Sequence, residues 1–352
     1  MSIEYPLTFK AAILENNSSP LVIDQVTFKG PLEPGHVLVR IHYSGICGKQ
    51  IEEIQGSGGN DPYIPHMLGH EGSGIVVDVG PGVTKVVPGD YVVLHWVKGS
   101  GIDSSTPFYT RFESRVNAGC ITTFNEYGVV SENRVTVIPK ETDLSIACLL
   151  GCAVTTGVGS VFNDVGLLPG QSVVIFGCGG VGLCAVQAAA LLQGDPIIAI
   201  DRYSENLQKA YQFGATHTLN SLEQDVVKEV KRITNGEGSS SVVITVGNPQ
   251  AIEVAVDTCA APGTVIFVSV PPANSKITID PLQIHRRRTM TGSYGGGSLP
   301  DRDVPEYLKL HQKGSLKLKE LISHTLTLDN INEGIEKVIS GCPGRCIVKM
   351  VD

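Results

Sequence analysis

Three residues that can bind a transition metal are spread over the first half of the chain. Cys47 stands in Gly-Ile-Cys-Gly, His70 in Gly-His-Glu-Gly, and Cys152 in Leu-Gly-Cys-Ala. Each has an ordinary alternative, since cysteine is often a small buried residue and a core histidine needs only a hydrogen-bond partner. Two thiolates and one imidazole together suit Zn²⁺, and three protein ligands leave the fourth tetrahedral position open for a reacting molecule. The set predicts a catalytic metal site.

A glycine-rich turn gives a second chemical signal. An apolar run at 173–176 leads into the turn, an alanine-rich segment follows, and another apolar run ends on Asp201. Glycines here allow a sharp turn and let the backbone approach a pyrophosphate, which then faces the positive end of the helix dipole. The carboxylate stands about 20 residues beyond the glycines, where it can accept hydrogen bonds from the adenosine ribose. The predicted dinucleotide-binding residues of the turn are Gly177, Gly179, Gly180, Val181 and Gly182.

The residues at the end of the second apolar run indicate the type of dinucleotide. Asp201 favours NAD, because a carboxylate repels the 2′-phosphate of NADP, whereas the adjacent Arg202 could accommodate that phosphate. NAD is the prediction and NADP the alternative. A nicotinamide accepts a hydride from an alcohol but cannot accept the hydroxyl proton. A Lewis acid that lowers the pKa of the hydroxyl makes the loss of that proton possible.

Length and local pattern predict two domains. At 352 residues the chain is longer than a single hydrophobic core usually supports. Residues 1–160 carry short β-branched runs among Gly and Pro, and strands alternate with helices from about 165 onwards. That alternation predicts a parallel sheet wound on both faces. We expect the last segment to return to the first domain, which gives 1–160 with 296–352 and, between them, 161–295.

Composition excludes several classes of protein. The formal net charge of −8 argues against a nucleic-acid surface. No apolar run approaches the roughly 18 residues that span a bilayer, and the N-terminus lacks the pattern of a signal peptide. Nine scattered cysteines, an odd number, indicate a reduced protein. We therefore expect a cytoplasmic protein with a small-molecule substrate and neither a membrane nor a nucleic-acid partner.

Over essentially its whole length the sequence resembles the zinc-dependent medium-chain alcohol dehydrogenase superfamily. The resemblance rests on GHEGSGIVVDVGPGV at 69–83, LLGCAVTTGVG at 149–159 and GCGGVG at 177–182. It implies an α/β fold in which a β-rich GroES-like catalytic domain accompanies a Rossmann-type NAD-binding domain with a doubly wound parallel sheet. It also implies NAD, one catalytic Zn²⁺ per subunit, an alcohol or carbonyl substrate, and a homodimer or homotetramer.

The resemblance assigns roles to individual residues. The three metal candidates occupy the catalytic zinc positions, and alcohol dehydrogenase is itself the standard example of this Cys₂His set. Glu71 is expected close behind the metal as a transient ligand. Thr156 and Val270 fall near the nicotinamide. Arg345 is expected either on the cofactor phosphates or paired with the carboxylate next to zinc.

The first ligand, Cys47, is followed by three residues that depart from the family pattern. Lys49 replaces the usual Ser or Thr that relays the substrate proton, and Gln50 replaces a zinc-supporting Asp. Glu52 stands roughly where many relatives carry a proton-transferring His. Two hypotheses stay open for Lys49. Either its pKa is depressed and it shuttles the proton with Glu52, or it turns outward and pairs with Glu52 or Glu53.

A further departure concerns residues 97–123. Many relatives bind a structural zinc there with four closely spaced cysteines, whereas this chain has only Cys120. We predict one zinc per subunit, with this lobe held by other contacts. Because the lobe is basic and aromatic, it is either a solvated loop or part of a site for a large anionic substrate.

Three functions remain open. His95 and Trp96 are expected near the wall of the substrate pocket, with a plain core position as the alternative for Trp96. His95 and the polar residues after the first ligand favour a polar secondary alcohol such as a sugar or polyol, whereas Trp96 suits a sugar ring as well as an aromatic alcohol. The segment from Gly292 resembles the branch of glutathione-dependent formaldehyde and aryl-alcohol dehydrogenases, which makes a glutathione adduct or an aryl alcohol the alternative. Lys49 and Gln50 also leave open a catalytically silent NAD-binding structural protein or sensor.

Overall fold

The computed structural model describes residues 3–59 and 61–351 and contains three sheets and ten α-helices over these residues. The strands are β1 (Leu7–Leu14), β2 (Val22–Phe28), β3 (His36–Gly45), β4 (His66–Met67), β5 (Glu71–Val79), β6 (Tyr91–His95), β7 (Phe108–Arg111), β8 (Ser114–Asn117), β9 (Tyr127–Ser131), β10 (Val135–Ile138), β11 (Val173–Phe176), β12 (Ile197–Asp201), β13 (His217–Asn220), β14 (Ser239–Ile244), β15 (Cys259–Phe267), β16 (Arg288–Gly292), β17 (Ile322–Thr327) and β18 (Arg345–Lys349). The helices are α1 (Gly48–Gln55), α2 (Leu144–Ala147), α3 (Ala153–Gly159), α4 (Gly180–Leu191), α5 (Ser204–Gln212), α6 (Val226–Ile233), α7 (Pro249–Asp257), α8 (Pro281–His285), α9 (Pro300–Gln312) and α10 (Ile331–Ile339).

Two of the sheets are built mainly from the N-terminal part of the chain. Strands β1, β2, β7, β8 and β4 close a small barrel, and the second sheet has the order β10-β6-β5-β3-β18-β17, with β9 also paired to β3. Strand β18 runs antiparallel to β3, and β17 runs parallel to β18. The end of the chain therefore lies in the same sheet as the N-terminal strands. The domain boundaries at 160/161 and 295/296 stay a prediction.

The third sheet is parallel throughout, in the order β13-β12-β11-β14-β15-β16. Its central strand β11 reads VVIF and is buried at every position, as expected for a strand with both faces covered. This sheet and the β-rich part confirm the predicted α/β fold class. Strand β13 was not predicted, because its sequence HTLN is short and mixes polar with apolar residues.

The segment that joins the two parts is buried. Every residue from 146 to 160 is shielded from solvent, and its side chains share one core with Val93 of β6, Val173 of β11 and Val304 of α9. Residues in this segment thus lie between the sheet that contains β6 and the parallel sheet. Functional side chains placed there can face both parts of the molecule.

No single helix in the described part of the chain is both long and apolar enough to cross a membrane. The bent pair Leu144–Gly151 and Ala153–Val165 meets that criterion only when the two helices are counted together. All nine cysteines are free of disulfide bonds.

Candidate catalytic metal and dinucleotide site

The three predicted metal ligands meet at one point. Cys47 directly precedes α1, His70 precedes β5, and Cys152 precedes α3. One sulfur or ring nitrogen from each lies within 4.8 Å of those of the other two. The Nε2 atom of His70 is buried without a hydrogen-bond partner, which is rare for a buried polar atom unless a ligand satisfies it. The donor set and this partnerless nitrogen fit Zn²⁺.

The charge state of the cluster also suits a metal. Contact with the Cys152 thiol lowers the pKa of Cys47 well below its ordinary value, and the positive charge of Arg345 adds to that effect against the opposing influence of burial. A thiolate is the form in which cysteine binds a metal. Cys47 is therefore predisposed to act as a ligand.

Gln50 connects two of the ligands. Its Oε1 accepts a hydrogen bond from the Cys47 backbone N–H at 3.0 Å, and its Nε2 lies 2.5 Å from Nδ1 of His70. The side chain is buried. Partners of this kind fix the orientation of a metal-binding imidazole. A neutral carboxamide thus stands in the supporting position where the family pattern led us to expect an aspartate.

Behind the cluster, Glu71 and Arg345 form a buried ion pair. Arg345 Nε donates to Glu71 Oε1 at 2.7 Å, and the two side chains are 0% and 5% exposed, respectively. The other carboxylate oxygen of Glu71 accepts from the backbone N–H of Ala153, next to Cys152, at 2.9 Å. A Cβ atom on Gly180 would lie 3.1 Å from Cδ of Arg345. The guanidinium therefore borders the glycine turn as well as the metal cluster.

The glycine turn lies between β11 and α4. Gly177 has a φ of +90°, and a Cβ atom on Gly182 would lie 1.8 Å from the Gly177 carbonyl oxygen. A Cβ on Gly179 would meet nothing within 4 Å, so the space above the turn is open. Asp201 Oδ2 accepts from the Cys178 backbone N–H at 2.6 Å, which places the carboxylate at the edge of the turn. The arrangement fits a bound pyrophosphate with the acid beside it.

Thr156 lies on α3, one helical turn from the third metal ligand. Its Oγ1 is 4.0 Å from Cys152 Sγ. Helices α3 and α4 pack closely, because a Cβ atom on Gly157 would lie only 2.3 Å from the carbonyl oxygen of Val181. The metal cluster and the glycine turn are thus joined through two packed helices.

Two other predicted cofactor residues are exposed. Val270 lies beyond the end of β15 and is 54% exposed. Arg202 follows β12 and stacks over the ring of Tyr203, with its guanidinium carbon 4.7 Å from the ring centroid. Both follow the carboxyl ends of parallel strands, where ligands bind in open α/β sheets.

Comparison with known proteins supplies the family. Residues 33–140 match the alcohol dehydrogenase GroES-like domain, and residues 180–313 match the zinc-binding dehydrogenase domain. An S-(hydroxymethyl)glutathione dehydrogenase of Haemophilus influenzae is 32% identical, with 96% of each chain covered. The benzyl alcohol dehydrogenase of Acinetobacter calcoaceticus has a TM-score of 0.89 at 27% identity, covering 98% of this chain and 100% of that one. A zinc-binding alcohol dehydrogenase domain protein of Burkholderia ambifaria has a TM-score of 0.90 at 28% identity, with the same coverage.

The chain belongs to the zinc-dependent medium-chain alcohol dehydrogenase superfamily. The predicted class of enzyme, a zinc alcohol dehydrogenase, is thereby confirmed, and the family implies NAD as its cofactor. The hypothesis of a catalytically silent protein is set aside. At several positions, however, this alcohol dehydrogenase departs from its family.

Lys49 and Glu52 form an ion pair at the start of α1. Lys49 Nζ lies 3.5 Å from Glu52 Oε2, and the side chains are 40% and 28% exposed. This is the contact expected if Lys49 turns outward. Burial raises the pKa of Glu52, while the charge of Lys49 opposes that rise. Glu53, considered in the sequence only as a partner for Lys49, is close enough to His70 for their charges to interact.

Part of the lobe at 97–123 is a β-hairpin of the barrel, formed by β7 and β8, whereas most residues of 98–106 are exposed, as expected for a solvated loop. Tyr109 is fully buried and its hydroxyl accepts from the Val129 backbone N–H at 3.0 Å. Arg111 pairs with Asp24, at 2.7 Å, and with Glu15. Because acidic side chains already occupy this arginine, it is not free for an anionic substrate.

Contacts other than metal ligands hold the beginning of the lobe. Asp301 at the start of α9 accepts from the backbone and the hydroxyl of Ser100, both at 2.7 Å. It also pairs with Lys85 at 2.6 Å and accepts from Thr136 at 2.8 Å. Burial works against ionisation, but these hydrogen bonds lower the pKa of Asp301 to about 2. Cys120 is exposed, and within 3–59 and 61–351 it is not among the residues that could hold a metal ion.

His95 is directed into the protein. Its Nδ1 lies 2.7 Å from the Val97 carbonyl oxygen and its Nε2 lies 2.9 Å from Thr136 Oγ1. Burial lowers the pKa of His95 to about 4, which keeps the ring neutral. Both ring nitrogens are thus engaged inside the protein and do not face a substrate.

Trp96 has a different environment. In the pairing of β5 with β6, His95 stands opposite Glu71. Trp96 follows His95 and His70 precedes Glu71, so both lie one residue beyond the same end of this pairing. The indole packs edge-to-face against Tyr294 with a centroid separation of 4.9 Å. An aromatic pair therefore adjoins the segment that carries the metal-binding histidine.

Proposed function

We propose that this protein interconverts a primary aryl alcohol and its aldehyde, with NAD as the hydride carrier. The observation that carries the proposal is the aromatic pair of Trp96 and Tyr294 beside the His70 segment. Tyr294 is 73% exposed, which leaves its ring available to a flat, apolar substrate. Aromatic rings stabilise each other in edge-to-face or offset geometry.

The polar residues that favoured a sugar or polyol are already engaged. Gln50 contacts Cys47 and His70, His95 is bonded on both nitrogens, and Lys49 pairs with Glu52. A polyol remains the second candidate, because an indole such as Trp96 can also pack on a sugar ring. A glutathione adduct is supported by the names of the curated relatives. Of the two lobe arginines that could hold its carboxylates, Arg111 is paired with acids, whereas Arg115 contacts Asn117 and the Phe108 ring.

The residues divide the chemical work among themselves. The two cysteines and the histidine would hold Zn²⁺, which when bound acts as a Lewis acid that lowers the pKa of the alcohol hydroxyl. The glycine turn and Arg345 would bind the pyrophosphate, and Asp201 would orient the adenosine ribose. Thr156, whose Oγ1 is 4.0 Å from Cys152 Sγ, would contact the nicotinamide. Glu71 can serve as a transient ligand only by leaving Arg345, so the ion pair restrains that role.

Proton release is assigned to the pair at the start of α1. Burial raises the pKa of Glu52, and the charge of Lys49 partly opposes that rise. Glu52 would accept the proton, and its ion pair with Lys49 would stabilise the carboxylate after the proton leaves. This replaces the hydroxyl relay of other family members. It keeps the route to solvent short, because both side chains are partly exposed.

The substrate assignment is tested by following NADH absorbance with benzyl alcohol, hydroxymethylglutathione and a series of polyols. We expect the largest kcat/KM for benzyl alcohol and at least a 10-fold lower value with NADP than with NAD. Trp96→Ala should lower kcat/KM for benzyl alcohol by about 10-fold, the loss of one aromatic contact with its buried area, and leave ethanol less affected. A clear preference for polyols would replace the aryl assignment, and no turnover of benzyl alcohol at full zinc occupancy would refute it.

Assembly and location are part of the proposal. Strand β16 pairs only with β15 among the described strands, so the parallel sheet has an open edge that a second copy can extend. This supports a homodimer or a homotetramer built from dimers. The free cysteines support the proposed cytoplasmic location. Size-exclusion chromatography with light scattering tests the assembly.

A further inference from the structure

A second group of two cysteines and one histidine lies near the C-terminus. It consists of His324 on β17, Cys342 in the turn after α10, and Cys346 on β18. The two sulfurs are 3.4 Å apart, and Nδ1 of His324 is 3.9 Å from the Cys346 sulfur. All three donor atoms lie within 4.8 Å of one another. We propose that these residues bind a second Zn²⁺, in addition to the ion at the catalytic cluster.

The distances suit a tetrahedral ion. Two sulfurs each about 2.3 Å from zinc at the tetrahedral angle lie about 3.8 Å apart, and a sulfur and an imidazole nitrogen lie about 3.6 Å apart. The observed separations, 3.4 and 3.9 Å, need shifts of only a few tenths of an ångström. Thiolate and imidazole are donors that zinc prefers, and the same set forms the catalytic cluster.

The backbone brings these side chains together. Strands β17 and β18 run parallel with His324 directly beside Cys346, after an irregularity that inserts Ser323. The turn back towards β18 contains Gly341, with φ of +82°, and Gly344, with φ of +98°. Both glycines take the left-handed conformation that other residues rarely adopt. The turn thereby brings the two cysteine side chains of the Cys-Pro-Gly-Arg-Cys motif close to each other.

The group is accessible for a fourth ligand. His324 and Cys342 line a cavity of about 770 Å³, into which Glu333 and Glu336 of α10 and Glu205 of α5 also face. Three protein donors leave one tetrahedral position, which is open to water or to a carboxylate from the wall of this cavity. A disulfide between the cysteines would leave the neighbouring imidazole without a role. The position of His324 therefore favours a metal.

An ion here would fix the turn that precedes Arg345. A Cβ atom on Gly341 would collide with the ring of Tyr203, and Lys209 donates to the Pro343 carbonyl oxygen at 3.3 Å, so the turn already contacts the dinucleotide-binding part. The Cys346 carbonyl oxygen accepts from the Ile46 N–H at 2.9 Å, one residue before the first catalytic ligand. The second ion is thus placed to stabilise the strand that joins cofactor turn and catalytic cluster. With this second ion, the expected zinc content is two ions per chain, whereas the sequence alone predicted one.

The test is the metal content of the full-length protein, purified with a non-chelating reductant and dialysed against low zinc. Elemental analysis should find two zinc ions per chain in the wild type, one in Cys342→Ser/Cys346→Ser, and one in Cys47→Ser/Cys152→Ser. Cys120→Ser, which removes an exposed cysteine outside both groups, is the matched control and should retain two. These readouts do not depend on turnover, so they stand apart from the proposed alcohol dehydrogenase reaction.

Cobalt substitution gives a second readout if the double variant folds poorly. Cys47→Ser/Cys152→Ser loaded with Co²⁺ should still show thiolate-to-cobalt charge transfer, and adding His324→Ala should reduce its intensity and weaken cobalt binding by at least 10-fold. One zinc per chain that depends only on Cys47 and Cys152 would overturn the proposal. So would a Cys342–Cys346 disulfide that persists under reducing conditions, found by thiol counting and peptide mapping.

Discussion

The two Cys₂His groups of this molecule use the same donors in different settings. The catalytic group is assembled from three separate segments, one of which is the buried junction between the two parts of the chain. The C-terminal group comes from two neighbouring strands and one turn, and in both groups the histidine is only partly buried. Behind the catalytic group stand Gln50 and the ion pair of Glu71 with Arg345.

The surroundings, rather than the donors, distinguish the two groups. The C-terminal group has Ser323 close to both sulfurs, at 3.8 and 3.7 Å, and a wide cavity. Ligands that supporting side chains orient hold an ion in one geometry, whereas the C-terminal ligands border a cavity that is open to solvent. The first arrangement suits catalysis and the second suits support of a strand. Four substitutions test this contrast, in order of decreasing effect.

Removing one catalytic ligand should have the largest effect. Cys152→Ser should lower kcat by about 10³-fold or more, because the ion that lowers the pKa of the alcohol is lost or misplaced. Cys342→Ser should change kcat by less than about 3-fold, since the C-terminal group contacts no reacting atom. Steady-state kinetics with NAD and benzyl alcohol, together with zinc analysis, provide the measurement. Equal losses in both variants would show that the two groups are not functionally distinct.

The ion pair behind the catalytic cluster should dominate stability. Arg345→Ala leaves the carboxylate of Glu71 buried without its cation, which costs about 3–5 kcal/mol of the free energy of unfolding. Urea denaturation followed by circular dichroism measures this. Arg111→Ala, which breaks a partly exposed pair in the barrel, is the control and should cost about 1 kcal/mol. Comparable losses in both variants would contradict the distinction drawn from burial.

The supporting amide should have an intermediate effect. Gln50→Ala removes the partner of the His70 ring and should weaken zinc binding by about 10- to 100-fold. Gln50→Asp restores a charged partner and should bind zinc more tightly than Gln50→Ala. Competition with a metallochromic chelator measures the affinities. An unchanged affinity in Gln50→Ala would mean that packing alone orients the imidazole.

The smallest effect is expected at the proton-release pair. The charge of Lys49 lowers the pKa of Glu52, so Lys49→Met should move the ionisation that governs turnover upward, by less than about one pH unit, with kcat at high pH nearly unchanged. The pH dependence of kcat measures the shift. Loss of that ionisation from the pH profile would identify Lys49 itself as the titrating group, and no shift would remove the pair from proton transfer.

Much of the fold can be predicted from the sequence because local patterns specify it. Continuous apolar runs identify strands buried on both faces, such as β11 and β12, and the glycine turn marks the start of helix α4. Boundaries were less accurate. The sequence pattern predicts a helix over 221–234 and a strand over 264–270. The helix begins only at Val226, where Asp225 caps it, and the strand ends at Phe267. Local pattern does not report where tertiary contacts stop an element.

The lobe at 97–123 illustrates what local pattern missed. Its arginines and aromatic residues suggested a solvated loop or an anion site, but the aromatic Tyr109 is core and Arg111 pairs with acids about 90 residues away in sequence. The direction of His95 was equally undetermined, since either face of a strand end can point inward. The burial, pairing and direction of these side chains depend on which residues, distant in sequence, the fold places next to them.

The sequence by itself determined the chemistry that is available: a Cys₂His set, a glycine turn followed by an acid, and the absence of four cysteines in the lobe. These are matters of residue type and spacing, which the chain carries directly. Only the tertiary structure decided that Arg345 joins Glu71 to the glycine turn, that Gln50 supports His70, and that Cys342 and Cys346 meet His324. Those contacts link residues up to 274 positions apart. They exist because strand pairing and core burial, not neighbouring sequence, set which side chains meet.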